Sequence, residues 1–178
     1  MTDLNFPTDS PIEHEGELEM RRRFPSSYQW DEYNIKGMVR NVIHPGFARF
    51  IEALPFFFIA TANQHGHCDA SYRGCETSKT GELLPPLKVI DEKTLIFPDY
   101  SGNGLYNSLG NILTNPHIGM LFIDFSRRTR VRLNGIAHIF DATPEILQIW
   151  PDAQAYVQVK VEQAYGNCPA RIPRMALI

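Results

Sequence analysis

Short apolar runs separated by turn-forming residues dominate the sequence from residue 56 onward. The segments predicted as strands are residues 56–62, 68–74, 87–90, 94–97, 118–125, 129–140 and 155–161. The Asn-Gln-His-Gly sequence at 63–66 is typical of a hairpin turn between the first two. Asn134-Gly135 interrupts the sixth segment, which therefore forms either a strand pair or one bulged strand. Strands of this length with only one or two helices between them predict an antiparallel barrel of the α+β class, mainly β in content.

Two helices accompany the predicted strands. Residues 45–54 place four apolar side chains on one side of a helix, and Pro55 ends that helix. Pro144 begins a second helix that extends to about Trp150. The apolar residues of the first helix are Phe47, Phe50, Ile51 and Leu54.

The composition fits one globular domain preceded by an arm. The chain has 178 residues, of which 43% are hydrophobic, enough to bury a sizeable core. Residues 1–36 are rich in Pro, Glu, Ser and Asp and show no sustained periodicity, so we predict an N-terminal arm there and a single domain over residues 37–178. A net charge of −3 without a basic stripe gives no nucleic-acid-binding surface.

Targeting signals and cysteine usage bear on the compartment. No stretch approaches the length of a membrane span, and residues 1–20 are polar and acidic rather than a signal peptide. The three cysteines have no disulfide-framework spacing, which is typical of a reducing compartment. We therefore expect a cytoplasmic protein that does not bind membranes.

The segment 97–116 carries a turn and a helix of the kind that binds anions. The Gly-Asn-Gly sequence at 102–104 leads directly into a predicted helix, with Asn103 at the N-cap and Asn107 and Ser108 in the first turn. Free backbone N–H groups and the helix dipole converge at such a position, which indicates a phosphate-bearing cofactor. The predicted buried stripe of this helix consists of Leu105, Leu109, Ile112 and Leu113.

The strand over residues 68–74 has a polar face. Ser71 and Arg73 share one face and Tyr72 lies on the other, while Gly74 lets the backbone approach a flat ligand. The alternative is a half-exposed strand whose serine and arginine face water.

Arg130 and Arg132 lie two residues apart on a predicted strand and therefore point the same way. Paired guanidinium groups match phosphate oxygens or the polar edge of a heterocycle. The alternative is a solvated strand face, since Arg127 and Arg128 are close by in the sequence.

No metal site is predicted, and no motif for catalysis by side chains alone occurs. The spacing of His65, His67, Cys68 and Cys75 matches no standard zinc pattern. Nucleophile-elbow, zinc-protease, Walker and Rossmann motifs are all absent from the sequence. A bound cofactor would therefore supply any redox chemistry.

Taken together and in this order, the segments resemble the pyridoxamine 5′-phosphate oxidase-like family of FMN-binding split barrels. The matching blocks are residues 56–61, 69–74, 91–95, 97–103, 107–113, 115–119, 132–135 and the tail 167–174. The resemblance covers about residues 47–174, and it implies a six-stranded antiparallel split β-barrel with a few peripheral helices. It also implies a homodimer with FMN at the subunit interface, each site drawing on both chains.

The resemblance further implies which residues bind the flavin. Ser71, Tyr72, Arg73 and Gly74 would line the ring, and Pro98 and Asp99 would lie beside the ribityl chain. Asn103, Asn107 and Ser108 would hold the phosphate, with Arg130 and Arg132 near the phosphate or the polar edge of the ring.

The implied function is an FMN-dependent oxidoreductase that acts on a small organic substrate by hydride transfer at flavin N5. No catalytic side chain is assigned. Three alternatives stay open: a flavin carrier without turnover, a split barrel that binds haem or a deazaflavin, and a module without a flavin.

The sequence departs from pyridoxamine phosphate oxidases proper at two places. Asn107-Ser108 stands where those enzymes place an Arg-Lys pair, and their C-terminal Arg-x-His element is absent. In addition, the segment 78–86 replaces the shorter glycine-rich link expected in the branch of the family that the chain resembles most. We therefore expect a substrate other than pyridoxamine phosphate and charge compensation from Arg73, Arg130 or Arg132. Cys168 is either near the cofactor or the partner subunit, or a small buried thiol.

Overall fold

The computed structural model describes residues 14–28 and 30–176, and the chain divides into two compact units, Met1–Ile35 and Lys36–Ile178. The described part of the first unit contains helix α1 (Glu15–Arg23), in which no residue is buried. The ring of His14 caps α1 by accepting from the N–H of Gly16, and acidic residues in the first turn and arginines in the last complement the helix dipole. Residues 1–13 of the predicted arm lie outside the described residues. The sequence analysis did not predict α1, because charge placement rather than apolar periodicity favours it.

Two more helices precede the first strand. Helix α2 (Glu32–Met38) crosses the boundary between the units, and helix α3 (Pro45–Glu52) belongs to the second. Pro45 occupies the first turn of α3, where its missing N–H is harmless, and Nδ1 of His44 accepts from the N–H of Gly46 at 3.1 Å. The helix predicted over residues 45–54 is confirmed, with its end at Glu52, and it buries Ile51 completely.

The described residues form nine strands, seven of which make one antiparallel sheet with the order β2-β1-β7-β8-β9-β6-β5. The remaining two form a separate hairpin, β3-β4. The mainly β class of the prediction is confirmed. The strands are β1 (Phe56–Ala62), β2 (Cys68–Gly74), β3 (Glu76–Thr77), β4 (Leu83–Leu84), β5 (Lys88–Val89), β6 (Thr94–Tyr100), β7 (His117–Asp124), β8 (Thr129–Asp141) and β9 (Ala153–Gly166).

Strand β8 is one continuous strand rather than a strand pair, and the bulge opposite its middle lies in β9, where Glu162 is the extra residue. Its pairing with β9 shifts register between Asn134 and Gly135. A Cβ at Gly135 would overlap the carbonyl oxygen of Lys160, so glycine is required where the two backbones approach. Strands β8 and β9 pair at eleven positions, and β9 extends beyond the predicted segment 155–161 at both ends.

The sheet curls strongly around its core. The rings of Phe57 on β1 and Phe97 on β6 meet edge to face with centroids 5.5 Å apart. These strands are four steps apart in the sheet order, which in a flat sheet would separate them by about 19 Å. The inner face is therefore closed over a core that includes Phe57, Phe97, Phe122, Leu95, Leu133 and Val157, all at most 1% exposed.

A smaller core lies under the β3-β4 hairpin and helix α5 (Pro144–Ile149). Trp150 is fully buried there, and its indole N–H donates to the carbonyl of Pro85 at 2.7 Å. Lys79 in the hairpin forms an exposed ion pair with Asp152 at 2.9 Å. This hairpin was not predicted, because strands of two residues are too short to show the alternation of apolar and polar residues.

The last helix needed for the site is α4 (Asn107–Thr114), which packs against β1, β2 and β8. None of the described helices has the length and hydrophobicity that a membrane crossing requires.

Candidate functional site

A cleft of about 270 Å³ opens between β2, the end of β6 and the beginning of α4. It brings together six of the eleven side chains predicted to bind a cofactor. These six are Ser71, Arg73, Asp99, Asn103, Asn107 and Ser108.

The alternation of β2 delivers its polar face to the cleft. Ser71 and Arg73 pair with Ile59 and Phe57 of β1, which point into the core. Asp69 shares this face and also lines the cleft, although the sequence analysis did not select it. The same alternation that identified Ser71 and Arg73 could have found it.

Tyr72 and Gly74 lie on the opposite, outer face of β2 and do not line the cleft. Tyr72 is 60% exposed, with its ring centroid 5.4 Å from that of Phe56 and 6.1 Å from that of Phe58. A Cβ at Gly74 would lie 2.6 Å from the hydroxyl oxygen of Tyr72. Gly74 therefore makes room for the tyrosine ring of its own strand, whereas we had expected it to open the backbone to a ligand.

Arg73 and Asp99 form an ion pair within the cleft. Nη1 of Arg73 donates to Oδ1 of Asp99 at 3.2 Å, and the two side chains are only 22% and 8% exposed. Gln154 donates from Nε2 to the other carboxylate oxygen at 2.9 Å. The guanidinium lies 6.0 Å from the ring centroid of Phe97. Asp99 thus offsets part of the charge of Arg73, whose buried Nε has no partner among the described residues.

The beginning of α4 differs from the prediction. The N-cap is Tyr106, which has a left-handed backbone (φ 52°) and no side-chain cap, and not Asn103. Asn103 instead accepts from the N–H of Leu105 at 3.0 Å and closes a turn before the helix. Among the described residues, the N–H groups of Asn107, Ser108 and Leu109 have no acceptor. These are the unpaired donors that an anion at the end of a helix would use.

The predicted apolar stripe of α4 is only half buried. Leu109 and Ile112 are buried, but Leu105 and Leu113 are 67% and 76% exposed. Leu105 precedes the helix and so leaves the periodicity that the prediction assumed.

The cleft carries a net negative charge from its own chain. Asp69, Asp99 and Arg73 are the charged side chains among the described residues that line it. Oδ2 of Asp69 accepts from the hydroxyl of Ser108 at 2.9 Å. Burial, and secondarily the charges of Glu76 and Asp152, raises the pKa of Tyr100 to about 12, so this lining residue stays neutral.

Arg130, Arg132 and Pro98 do not line the cleft. Arg132 pairs with Leu121, which pairs with Phe58, so both arginines of β8 lie on the outer face of the sheet. Arg132 contacts the ring of Tyr165 at 5.8 Å.

Arg130 and Pro98 are both partly or fully buried away from the cleft, in different settings. The buried Nε of Arg130 has no partner among the described residues. Pro98 is buried in β6 opposite Tyr156. Strand β5 pairs only with Leu95 and Ile96, so at Pro98 strand β6 is an edge, where proline is tolerated.

The outer face also presents four aromatic side chains, which we call the outer aromatic patch. The rings of this patch lie within 6.4 Å of a neighbour, centroid to centroid. The patch consists of Phe56, Phe58, Tyr72 and Phe125.

Cys168 is exposed, so its interpretation as a buried thiol is wrong. Its Sγ accepts from the N–H of Ala170 at 3.4 Å. Across the described part of the chain, no group of three or more His, Cys, Asp or Glu side chains could hold a metal ion.

The family model for pyridoxamine 5′-phosphate oxidase matches residues 43–176. This is more than half of the chain, and the protein therefore belongs to the pyridoxamine 5′-phosphate oxidase family. No curated protein matches the sequence.

Solved structures show the same fold at low sequence identity. A single-residue variant of HupZ from group A Streptococcus is 20% identical, with a TM-score of 0.55 over 70% of this chain and 99% of that chain. Unsubstituted HupZ is 18% identical, with a TM-score of 0.54 over 75% and 99% of the two chains. A candidate pyridoxamine 5′-phosphate oxidase from Lactobacillus delbrueckii is 14% identical, with a TM-score of 0.54 over 71% and 95%.

Proposed function

We propose that the protein is an FMN-dependent oxidoreductase whose flavin phosphate binds at the amino end of α4. The observation that carries the proposal is the set of unpaired N–H groups of Asn107, Ser108 and Leu109, which open into the same cleft as Ser71 and Arg73. The site lies within residues 37–178, which we propose as a single cofactor-binding domain.

The donors of the cleft fit a phosphorylated ribityl chain. The amides of Asn103 and Asn107 and the hydroxyls of Ser71 and Ser108 offer neutral hydrogen bonds along it. Ser71 and Arg73 lie on the strand face that would meet the ring.

The cations that a phosphate dianion needs come, in this proposal, from a second copy of the chain. Arg73 is engaged by Asp99, and Arg130 and Arg132 lie on the outer face, away from the cleft of their own chain. A homodimer that covers the outer aromatic patch would bury exposed Tyr72 and bring the arginines of one copy toward the cleft of the other. The buried, unpartnered Nε of Arg130 is consistent with an acceptor supplied by that copy.

Bound FMN would supply hydride transfer at N5, with a small organic molecule as substrate. The protein's residues would hold and orient the flavin and keep the cleft polar. Tyr100 would remain protonated beside it at any physiological pH, since burial raises its pKa to about 12.

Flavin binding and dimerisation test the proposal together. Purified protein is expected to be yellow, and flavin-free protein should quench the fluorescence of added FMN and sediment as a dimer. Arg132→Ala should weaken FMN binding at least tenfold, whereas Arg127→Ala, at a side chain 81% exposed, should leave it unchanged. A colourless protein in whose presence added FMN stays fully fluorescent would overturn the proposal.

A flavin carrier without turnover is the second candidate. It is favoured by the absence of a histidine from the described lining of the cleft and by the hydrogen bonds that already engage Asp69 and Asp99. Rapid reduction of bound flavin by a nicotinamide donor would exclude it. The absorbance spectrum of the purified protein separates both candidates from a haem or deazaflavin protein.

A further inference from the structure

Asp69 lines the cleft beside the amino end of α4, where the proposed phosphate would bind. It lies on the inner face of β2 opposite Thr61, which is only 4% exposed. Its Oδ2 accepts from the hydroxyl of Ser108 at 2.9 Å, in the first turn of α4. A second polar contact holds the helix over the sheet, from Nδ2 of Asn111 to the hydroxyl of Thr61 at 3.0 Å. The carboxylate is therefore held close to the amino end of α4.

Asp69 forms no salt bridge in the part of the chain that the structure describes. Among the described residues, none places a basic nitrogen within 4.0 Å of Asp69. Arg73, which shares its strand face, is bound by Asp99. The negative charge of Asp69 is stabilised by the hydroxyl of Ser108 and by the helix dipole, which are features that a ligand phosphate would also use.

A second anion at the same helix end meets a like charge. The interaction between like charges at about 6 Å in a partly hydrated site changes a binding constant by about tenfold per unit charge. A neutral ligand of the same shape does not experience this repulsion. Riboflavin and FMN share the ring and the ribityl chain and differ in the phosphate. Comparing their affinities therefore separates the charge repulsion at the phosphate from the contacts of the ring and the ribityl chain.

We propose that Asp69 is a specificity-determining residue that lowers the affinity of the cleft for phosphorylated flavin relative to unphosphorylated flavin. This inference rests on the proposed flavin site. It makes the phosphate a weaker determinant of binding here than in a cleft whose first helical turn carries basic side chains.

The experiment compares the Kd values of FMN and riboflavin by quenching of flavin fluorescence on the full-length, flavin-free protein. Asp69→Asn keeps an oxygen that accepts from Ser108 and removes the charge. It is expected to tighten FMN binding about 30- to 100-fold, because the phosphate carries about 1.5 to 2 negative charges, and to leave riboflavin binding within about twofold. Asp141→Asn makes the same change in net charge at an exposed position at the end of β8, and it should alter neither Kd.

The possible outcomes are distinct. An unchanged ratio of the two Kd values in Asp69→Asn, or equal tightening of both flavins, overturns the role of Asp69 while the flavin site stands. Failure of the unsubstituted protein and of every variant to bind either flavin overturns the proposed function itself. If Asp69→Asn does not fold, Asp69→Ser removes the same charge, and its ratio of the FMN Kd to the riboflavin Kd tests the proposal in the same way.

Discussion

Nη1 of Arg73 lies 3.2 Å from Oδ1 of Asp99, and this ion pair joins strands that are five steps apart in the sheet order. In a flat sheet the two strands would be separated by about 24 Å. The curl of the sheet therefore creates the cleft, and the ion pair ties β2 to β6 at its wall.

Loss of Arg73 should destabilise the fold. Arg73→Met leaves Asp99, 8% exposed, with only Gln154 as partner, so we expect a decrease of about 2 kcal/mol in the free energy of unfolding. Urea denaturation measures it. Arg127→Met breaks a pair with Asp124 at 3.7 Å in which the arginine is 81% exposed, and it should cost less than about 1 kcal/mol. Equal losses in the two variants would show that the Arg73 pair is no more than a surface contact. Arg73→Met combined with Asp99→Asn should recover part of the loss.

Gly135 of β8, which lies opposite the bulge of β9, should not tolerate a side chain. In Gly135→Ala the new methyl group collides with the Lys160 backbone, which cannot move without breaking the β8-β9 pairing, so a loss of about 2–3 kcal/mol is expected. At Gly110 of α4 a methyl group would enter open space, with no atom within 4 Å, and Gly110→Ala should raise stability by about 0.5–1 kcal/mol. Thermal unfolding of both variants checks the contrast. A neutral Gly135→Ala would mean that the two strands separate more easily than their pairing indicates.

The hairpin β3-β4 should depend on Trp150. Trp150→Phe removes the indole donor to Pro85 and leaves a cavity in a fully buried site, so we expect a loss of about 2–3 kcal/mol. Hydrogen exchange of residues 76–84 should speed up more than exchange of β7. Trp30→Phe, at a side chain 37% exposed, is the matched control and should change neither quantity appreciably. Unchanged exchange of the hairpin in Trp150→Phe would contradict the anchoring role.

Tyr100 should make stability fall at alkaline pH. Its folded-state pKa of about 12 exceeds the value of about 10 in an unfolded chain, because burial disfavours the phenolate. The contribution of neutral Tyr100 to the free energy of unfolding is therefore complete below pH about 10, and it is lost as the pH rises through about 12. Tyr100→Phe should flatten the decline in unfolding free energy over this window. Since the buried hydroxyl has no partner in the described chain, the substitution should cost little at pH 7. Tyr33→Phe, at a side chain 86% exposed, should retain the decline. If the unfolding free energy of Tyr100→Phe falls as steeply over this pH window, other titrating groups cause the decline.

Most strands and helices were predictable from local patterns. The alternation of Ser71, Tyr72 and Arg73 assigned each side chain to the correct face of β2, and the apolar run that begins at Phe56 located β1. The Gly-Asn-Gly turn located the beginning of α4 to within a few residues. These features depend on backbone preferences and periodicity over fewer than ten residues, which a sequence displays directly.

Contacts between distant segments were not predictable. The sequence could not show that Asp99 pairs with Arg73 or that Asp69 accepts a hydrogen bond from Ser108. These contacts depend on the curl and register of strands that are far apart in the chain. The left-handed backbone of Tyr106, which moves the N-cap of α4 away from Asn103, is a local feature that residue preferences did not indicate.

The sequence by itself determined the mainly β class, the family and the polar segments that a cofactor site would use. Only the tertiary structure decided which of those residues share one cleft. It placed Arg130 and Arg132 on the outer face, because alternation along β8 and its pairing with β7 put them on the same side as Phe58. It also left the cleft with one more carboxylate than guanidinium, a balance set by which strands the curled sheet brings together.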